Sequence, residues 1–181
     1  MILDMSDEYF GEEPQDTERK VSDDVRLLLE ELRKKEVTPY NYKKTYNEFI
    51  EAVRVLESII SEKLEDIDTK IRPDREAEER TLREEKSMPG DLQSVHSELA
   101  KKMHVENKAL DDVKDWLILL KEISRTMDEK LKNALEVAEA TSALNQFTTS
   151  AKEYWTDARY IRLFWRAQCV RYHLEPGKRR A

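Results

Sequence analysis

The sequence is poor in the residues that build tight turns and covalent crosslinks. It has three glycines and five prolines in 181 residues, and Cys169 is its single cysteine. One cysteine cannot form an internal disulfide, and such chains are typical of reducing compartments. Three glycines, each far from the others, leave no phosphate-cradling loop and no dinucleotide-binding fingerprint. These absences argue against a disulfide-stapled domain and against a nucleotide-binding fold.

Long apolar runs are absent as well. No stretch of the sequence approaches the roughly 18 apolar residues that a membrane-spanning helix needs. The first five residues, Met1 to Met5, lack the basic flank and the long apolar core of a signal peptide. We therefore expect an intracellular protein of the cytoplasm or nucleus, neither secreted nor transmembrane.

The residue types that carry catalysis or hold metals form no known motif here. His96, His104 and His173 lack the spacing of a helical zinc site, and neither a Glu-x-x-His pair nor a Gly-x-Ser-x-Gly elbow occurs. Arginines near Cys169 would favour a thiolate, but a lone helical cysteine is more often a small packing residue. We expect no catalytic, cofactor-binding or metal-binding residue, no small-molecule substrate, and no enzyme.

Charge, by contrast, is abundant. Aspartate, glutamate, lysine and arginine make up 39% of the chain, as much as the apolar residues do. An ordinary globular domain has about 25%. A chain this charged cannot surround a wide core, but it can cover a narrow apolar seam, for which a helix needs about two apolar residues in seven. Composition therefore predicts an all-α fold of long, paired helices.

The two ends of the chain carry opposite charge. Residues 1–18 contain seven acids and no base, whereas residues 152–181 contain eight bases and three acids. The ends are therefore expected either to lie together or to serve different partners. Residues 1–20 have no apolar periodicity and are predicted to form an acidic, disordered or extended arm. Residues 176–181 are predicted to form a basic tail.

Apolar residues at helical spacing organise the first half of the chain. A short amphipathic helix is predicted over 21–36, and Thr38 and Pro39 supply the N-cap and first helical residue of the next helix. Over 40–72, apolar residues follow steps of four and three, which is the seam of a coiled coil. Pro73 is then expected to break or kink the helix. The seam consists of Tyr42, Tyr46, Phe49, Val53, Leu56, Ile60, Leu64, Ile67 and Ile71.

The second half is predicted to return along the first. Residues 73–106 are dominated by charge and contain a turn signal, Pro89-Gly90. Residues 107–175 are predicted as a long helix with an aromatic, arginine-rich C-terminal part, and weak helix propensity over 140–150 could bend it. Folding at the turn places position 72 opposite 106 and position 40 opposite 138. We therefore predict an elongated, antiparallel coiled-coil hairpin or rod with its turn near Pro89-Gly90.

Aromatic residues and arginines cluster near the C-terminal end. Such clusters are typical of interface hot spots, although tight packing within the hairpin would also use them. Four residues recur at i, i+4, i+7 and i+11 on a face beside the apolar seam of this helix, and two more lie on the seam itself. That seam consists of Leu144, Phe147, Ala151, Tyr154, Ala158, Ile161, Trp165, Gln168 and Tyr172. The predicted partner-binding residues are Tyr154, Trp155, Arg159, Arg162, Trp165 and Arg166.

The sequence therefore predicts a non-enzymatic coiled-coil scaffold or adaptor, a subunit of a larger multi-protein assembly. Its expected partners are other helical protein subunits, and a hetero-assembly is favoured over a homodimer. The alternative is an anion-binding module that contacts nucleic acid or an anionic membrane through the basic C-terminal helix and tail. The acidic remainder of the chain disfavours that alternative, because it repels a polyanion.

Overall fold

The protein is all-helical in the computed structural model, which describes residues 2–85, 92–141 and 144–174; no strand occurs in these ranges. The prediction of an all-α fold is confirmed. The predicted turn at Pro89-Gly90 and the basic tail, 176–181, lie outside the described residues. The elements are α1 (Ile2–Lys34), α2 (Tyr42–Asp66), a π-helical turn (Ile67–Ile71), α3 (Arg72–Glu85), α4 (Leu92–Ala140) and α5 (Leu144–Arg171).

The chain forms two compact units. Unit 1 comprises Met1–Glu57 and Trp116–Ala181, and unit 2 comprises Ser58–Asp115. Unit 1 therefore contains α1, α5, the first part of α2 and the second part of α4. Unit 2 contains the end of α2, the π-helical turn, α3 and the first part of α4.

Helix α1 begins at Ile2 and includes the segment for which the sequence predicted an acidic, disordered or extended arm. Further along α1, Val25, Leu29 and Leu32 are buried in unit 1 at a spacing of four and three residues. This buried stripe lies within the segment that the sequence predicted as a short amphipathic helix, 21–36.

A reciprocal capping arrangement starts α2. The Tyr40 N–H donates to Thr38 Oγ1 at 3.3 Å, and the Thr38 N–H donates to Asn41 Oδ1 at 2.8 Å. The backbone N–H groups of Thr38 and Tyr40 have no intrahelical acceptor near a helix start, so each of these bonds satisfies a backbone donor. Thr38 therefore caps the turn of residues 39–41 that precedes α2, whereas the sequence placed the first helical residue at Pro39.

The end of α1 is held by a side chain from another helix of unit 1. Lys130 Nζ, on α4, donates to the backbone carbonyls of Arg33 at 3.1 Å and Lys35 at 2.7 Å. The last carbonyls of a helix have no intrahelical donor, and a lysine there also complements the helix dipole. Arg33 adds an ion pair to Glu122 on α4, at 3.3 Å. The end of α1 therefore contacts α4.

The seam predicted from Tyr42 to Ile71 is buried as far as Ile67, whereas its last residue, Ile71, is only partly buried. Leu56, Ile60 and Ile67 are fully inaccessible to solvent. Burying a leucine or isoleucine side chain contributes about 1.5–3 kcal/mol each. This seam is therefore the main apolar contribution of α2 to the fold.

Pro73 does not end the helix. The π-helical turn Ile67–Ile71 precedes it, and the Arg72 N–H donates to the carbonyl of Ile67, five residues earlier. Proline removes one i→i−4 hydrogen bond from an α-helix, and a π turn rearranges the neighbouring bonds. The predicted break at Pro73 is thus replaced by a local change in helix type.

Unit 2 relies on charge where its apolar seam ends. Glu106 on α4 is 7% exposed, and its carboxylate accepts from Arg72 Nε at 2.9 Å and Arg75 Nε at 3.0 Å. Four residues nearer the start of α4, Lys102 pairs with Asp74 at 3.4 Å. Glu106 is the only buried side chain among those described between positions 72 and 108.

The long helix predicted over 107–175 is divided in two. Helix α4 ends at Ala140, and α5 begins at Leu144. Thr141 Oγ1 donates to the Val137 carbonyl at 2.9 Å, which satisfies an acceptor at the end of α4. The division falls in the segment of weak helix propensity, 140–150, where the sequence allowed a bend.

Helix α5 runs back along α4 within unit 1. Asp128 on α4 contacts Tyr154 and Arg162, while Lys121, one heptad earlier, contacts Trp165. Later residues of α5 thus meet earlier residues of α4, so these two helices are antiparallel. The second part of α4 is consequently buried on several sides. Its buried residues are Trp116, Leu117, Leu119, Leu120, Ile123, Ser124, Thr126, Met127, Leu131, Ala134 and Ala138.

Candidate partner interface

Helix α5 presents one face to the core of unit 1. Its buried residues are spaced by four, three, four and three positions, which matches the predicted apolar seam up to Ile161. Trp165, Gln168 and Tyr172, which continue that seam, are only partly buried. The buried residues are Phe147, Ala151, Tyr154, Ala158 and Ile161.

Aromatic rings join α5 to α2. Tyr42 and Phe147 pack edge-to-face with ring centroids 4.5 Å apart, and Tyr46 and Tyr154 do so at 5.2 Å. This geometry places the positive edge of one ring against the negative face of the other. Since the two contacts advance together along both helices, α2 and α5 run in the same direction.

The tyrosine hydroxyls of these pairs are bound by acids. Tyr46 donates to the Asp157 carboxylate, and Tyr154 donates to Asp128 Oδ1 at 3.2 Å. Burial, and then the adjacent carboxylates, raise the pKa of both tyrosines above the ordinary value of 10.0. Both phenols therefore stay protonated at neutral pH and act as hydrogen-bond donors.

Two of the six predicted partner-binding residues are engaged inside unit 1. Tyr154 is 3% exposed and contacts Tyr46 and Asp128. Arg162 is partly exposed, and its Nη1 lies 3.1 Å from Asp128 Oδ2. These side chains fix α5 against α4, and their interactions belong to the chain itself.

Three of the predicted residues are exposed: Trp155, Arg159 and Arg166. Trp155 is 40% exposed, which is unusual for a large aromatic side chain. Because α5 makes one turn in 3.6 residues, these three lie along one side of the helix, beside its buried face. They form an aromatic and basic surface that a partner can reach.

Trp165 lies at the boundary between the core and this surface. The Lys121 ammonium and the Arg166 guanidinium each lie 5.3 Å from the centre of its ring. Cations near a tryptophan face are attracted by its quadrupole. The buried indole N–H of Trp165 has no acceptor among the described residues. Trp165 is thus held by ring contacts rather than by a hydrogen bond.

An exposed apolar stripe on α5 was missed by the sequence reasoning. Its residues are separated by three, four and three positions, and they lie on the side of the helix opposite the buried face. The signal was available, since the sequence of α5 contains two apolar series at heptad spacing instead of one. The exposed stripe consists of Tyr160, Leu163, Ala167 and Val170.

The exposed side chains of α5 are predominantly basic. Among the described residues of this helix, four exposed bases stand against one exposed acid, Glu153. The Arg171 guanidinium lies 5.4 Å from the Tyr172 ring centre. The basic side chains are Lys152, Arg159, Arg166 and Arg171. The surface of α5 is therefore electrostatically suited to an acidic partner.

Cys169 has the character of a thiol rather than a thiolate. Burial raises the pKa of its side chain above the ordinary value of 9.0, and the nearby Lys121 charge only partly offsets this effect. Nucleophilic cysteines require a lowered pKa. This environment favours the packing role for Cys169 over the reactive one.

A small cavity lies where the helices of unit 1 converge. Its volume is about 20 Å³, which accommodates about one water molecule. The end of α1, the start of α2, α4 and α5 all contribute to its lining, through residues that include Leu32, Tyr46, Met127 and Tyr154. A cavity of this size is a packing feature of the core.

In the portion of the chain that the structure describes, no three or more His, Cys, Asp or Glu side chains are grouped so as to hold a metal ion. Within the same residues, none of the helices combines the length and apolar character that crossing a membrane requires. No family model, no curated protein and no solved structure matches this chain.

Proposed function

We propose that this protein is a non-enzymatic helical scaffold or adaptor, an intracellular subunit of a larger assembly, and that it docks other helical subunits through α5. The observation that carries the proposal is the division of α5 into two faces. One face is buried in unit 1, while the other exposes Trp155, arginines and an apolar stripe. Aromatic residues and arginine are the side chains on which interface affinity most often depends.

The proposed architecture includes an antiparallel coiled-coil hairpin formed by α3 and the first part of α4. Two ion-pair positions support it: Arg72 and Arg75 meet Glu106, and Asp74 meets Lys102. The later residue of α3 thus pairs with the earlier residue of α4, which is the pattern of antiparallel helices.

Crosslinking tests this hairpin directly. The variant that combines Asp74→Cys and Lys102→Cys with Cys169→Ser should be joined by a short bismaleimide within one chain. Mixing two chains of different tag length distinguishes this product from a dimer. Crosslinks found only between chains would instead indicate an intermolecular coiled coil.

Truncation of Trp155 tests the docking role of α5. Trp155→Ala should leave the melting temperature nearly unchanged, because the side chain is already 40% exposed. Loss of a docked tryptophan typically costs at least about 2 kcal/mol, or about thirtyfold in affinity. The measurement is quantitative co-purification of the native assembly with the tagged full-length protein.

Tyr40→Ala is the matched control for this experiment. Tyr40 is an aromatic residue, 79% exposed, in the connection between α1 and α2, where no docking is proposed. It should retain full co-purification. If Trp155→Ala also retains it, or if the loss follows a fall in melting temperature, the tryptophan belongs to the fold and the proposed docking site is wrong.

The second candidate function is anion binding, favoured by the excess of exposed bases on α5. Binding to nucleic acid or to anionic vesicles would then weaken steeply with salt, because each phosphate contact releases a counterion. Arg159→Ala combined with Arg166→Ala should abolish such binding. Vesicle or nucleic-acid binding that this double variant abolishes, together with co-purification that Trp155→Ala leaves unchanged, would favour the second candidate over the adaptor.

A further inference from the structure

We propose that the exposed stripe of α5 is one side of an intermolecular coiled coil, and that its occupant is an acidic amphipathic helix of a partner protein. The inference rests on the proposed function and adds the chemistry of the partner. Tyr160, Leu163 and Val170 are 68%, 53% and 77% exposed, and Ala167 between them is also exposed. No other part of the described chain covers these side chains.

The spacing of the stripe identifies the kind of surface that fits it. Steps of three, four and three place Tyr160 and Ala167 at heptad positions a, and Leu163 and Val170 at positions d. The stripe extends for about 15 Å along the helix axis. Two apolar residues per heptad suit a single facing helix, whereas a helix lying on a membrane needs a wider apolar face.

The flanks of the stripe identify the charge of the partner. In this register Arg159 and Arg166 occupy successive g positions, and Arg171 occupies an e position. Residues at e and g form the interhelical ion pairs that decide which helices pair. Asp157, the acid at an e position, is partly buried and accepts a hydrogen bond from Tyr46. The flanks therefore present arginine to the partner, and glutamate or aspartate on the partner would complement them.

The same flanks disfavour a second copy of this chain as the occupant. In a parallel pair, the g position of Arg166 faces the e position of Arg171 from the other copy. In an antiparallel pair, Arg159 of one copy faces Arg166 of the other. Like charges at these positions are destabilising, so both orientations are opposed.

Two designed peptides of about four heptads provide the probes. Both have leucine at a and d; one has glutamate at every e and g position, and the other has lysine. Neither pairs well with itself, because its own flanks repel. The full-length protein should bind the glutamate peptide, measured by fluorescence anisotropy at low salt, and bind the lysine peptide at least tenfold more weakly.

Variants of the stripe and of its flanks then test each part of the inference. Leu163→Ser with Val170→Ser should weaken binding of the glutamate peptide at least tenfold. Arg159→Glu with Arg166→Glu should reverse the preference, so that the lysine peptide binds better. Lys43→Glu with Lys44→Glu makes the same change in charge at exposed positions of α2 and should leave the preference unchanged. Circular dichroism of each variant checks that the fold is retained.

Three results would overturn the inference while leaving the proposed adaptor role standing. The glutamate and lysine peptides could bind equally or not at all, although co-purification still depends on Trp155. Sedimentation equilibrium could reveal a dimer that Leu163→Ser abolishes, which would make a second copy the occupant. Vesicles of phosphatidylserine and phosphatidylcholine could bind through the stripe when neither peptide does, which would make the face a membrane surface.

Discussion

Units 1 and 2 use different interactions to hold helices together. Unit 1 has several helices around the second part of α4, with buried aliphatic residues and two edge-to-face aromatic pairs. In unit 2, the apolar residues Ile60, Ile67 and Val113 are buried, but beyond them α3 and α4 meet through Glu106 and its arginines. The comparison shows how the distribution of apolar residues decides whether a helix pair is held by packing or by charge.

The largest expected effect is on stability, and it appears when the same leucine-to-alanine substitution is made at two positions. Leu56→Ala, at a fully buried position of unit 1, should lower the free energy of unfolding by about 2–5 kcal/mol, because it leaves a cavity in packed surroundings. Leu82→Ala, at a partly exposed position of α3, should cost less than about 1 kcal/mol. Urea unfolding followed by circular dichroism measures both. Equal losses would mean that the α3 region has an apolar core like that of unit 1.

The second expected effect concerns Glu106. Glu106→Gln should lower stability by about 1–3 kcal/mol, since two arginines lose the carboxylate to which they are bound. Burial raises the pKa of Glu106, but the hydrogen bonds and charges of Arg75 and Arg72 outweigh it and hold this pKa below the ordinary 4.5. A lowered carboxyl pKa stabilises the fold above pH 4.5, and that stabilisation is lost as pH falls through the folded-state value.

The wild-type protein should therefore lose protection of α3 from hydrogen exchange when the pH falls well below 4.5. In Glu106→Gln this part of the pH dependence should be missing. Exchange measured by mass spectrometry, corrected for the intrinsic pH dependence of amide exchange, locates the effect. If the variant keeps the wild-type pH dependence in α3, another acid is responsible and the role given to Glu106 is wrong.

The smallest expected effect is in unit 1. Tyr154→Phe keeps the ring against Tyr46 and removes only the hydroxyl that donates to Asp128. Asp128 is partly exposed and remains paired with Arg162, so the cost should be about 1 kcal/mol or less. Denaturant unfolding of Tyr154→Phe beside Glu106→Gln compares the two polar contacts. A larger loss in Tyr154→Phe would show that unit 1 also depends on its polar contacts.

The sequence was informative where a helix has one buried stripe. The buried part of the α2 seam, the side-chain cap that Thr38 provides and the buried face of α5 were all predictable from spacing and capping chemistry. Each depends on residues close in sequence, so local periodicity suffices.

Pairing between distant segments was harder to predict. The sequence predicted two paired helices because the segments on either side of Pro89-Gly90 have matching lengths. Such matching cannot reveal that α5 folds back on α4. The apolar run from Trp116 to Leu120 was the available signal, because a helix that is apolar on several sides is surrounded by neighbours. For the interface, Trp155, Arg159 and Arg166 are exposed as a docking role requires, while Tyr154 is enclosed by contacts that no local pattern indicates.

The π-helical turn has a consequence for the phase of the helix that contains it. Ile67 is buried, and the next residue of this helix that contacts α4 through Glu106 is Arg72, five residues later. Successive residues on one side of an α-helix are instead three or four positions apart. A π turn holds one more residue per turn than an α-helix, so it absorbs the extra residue without rotating α3 about its axis. Arg72 and Arg75 can therefore face Glu106 in phase with the seam before them. A chain shortened by one residue within Ile67–Ile71 could close this turn into regular α-helix and keep the same side of α3 turned inward.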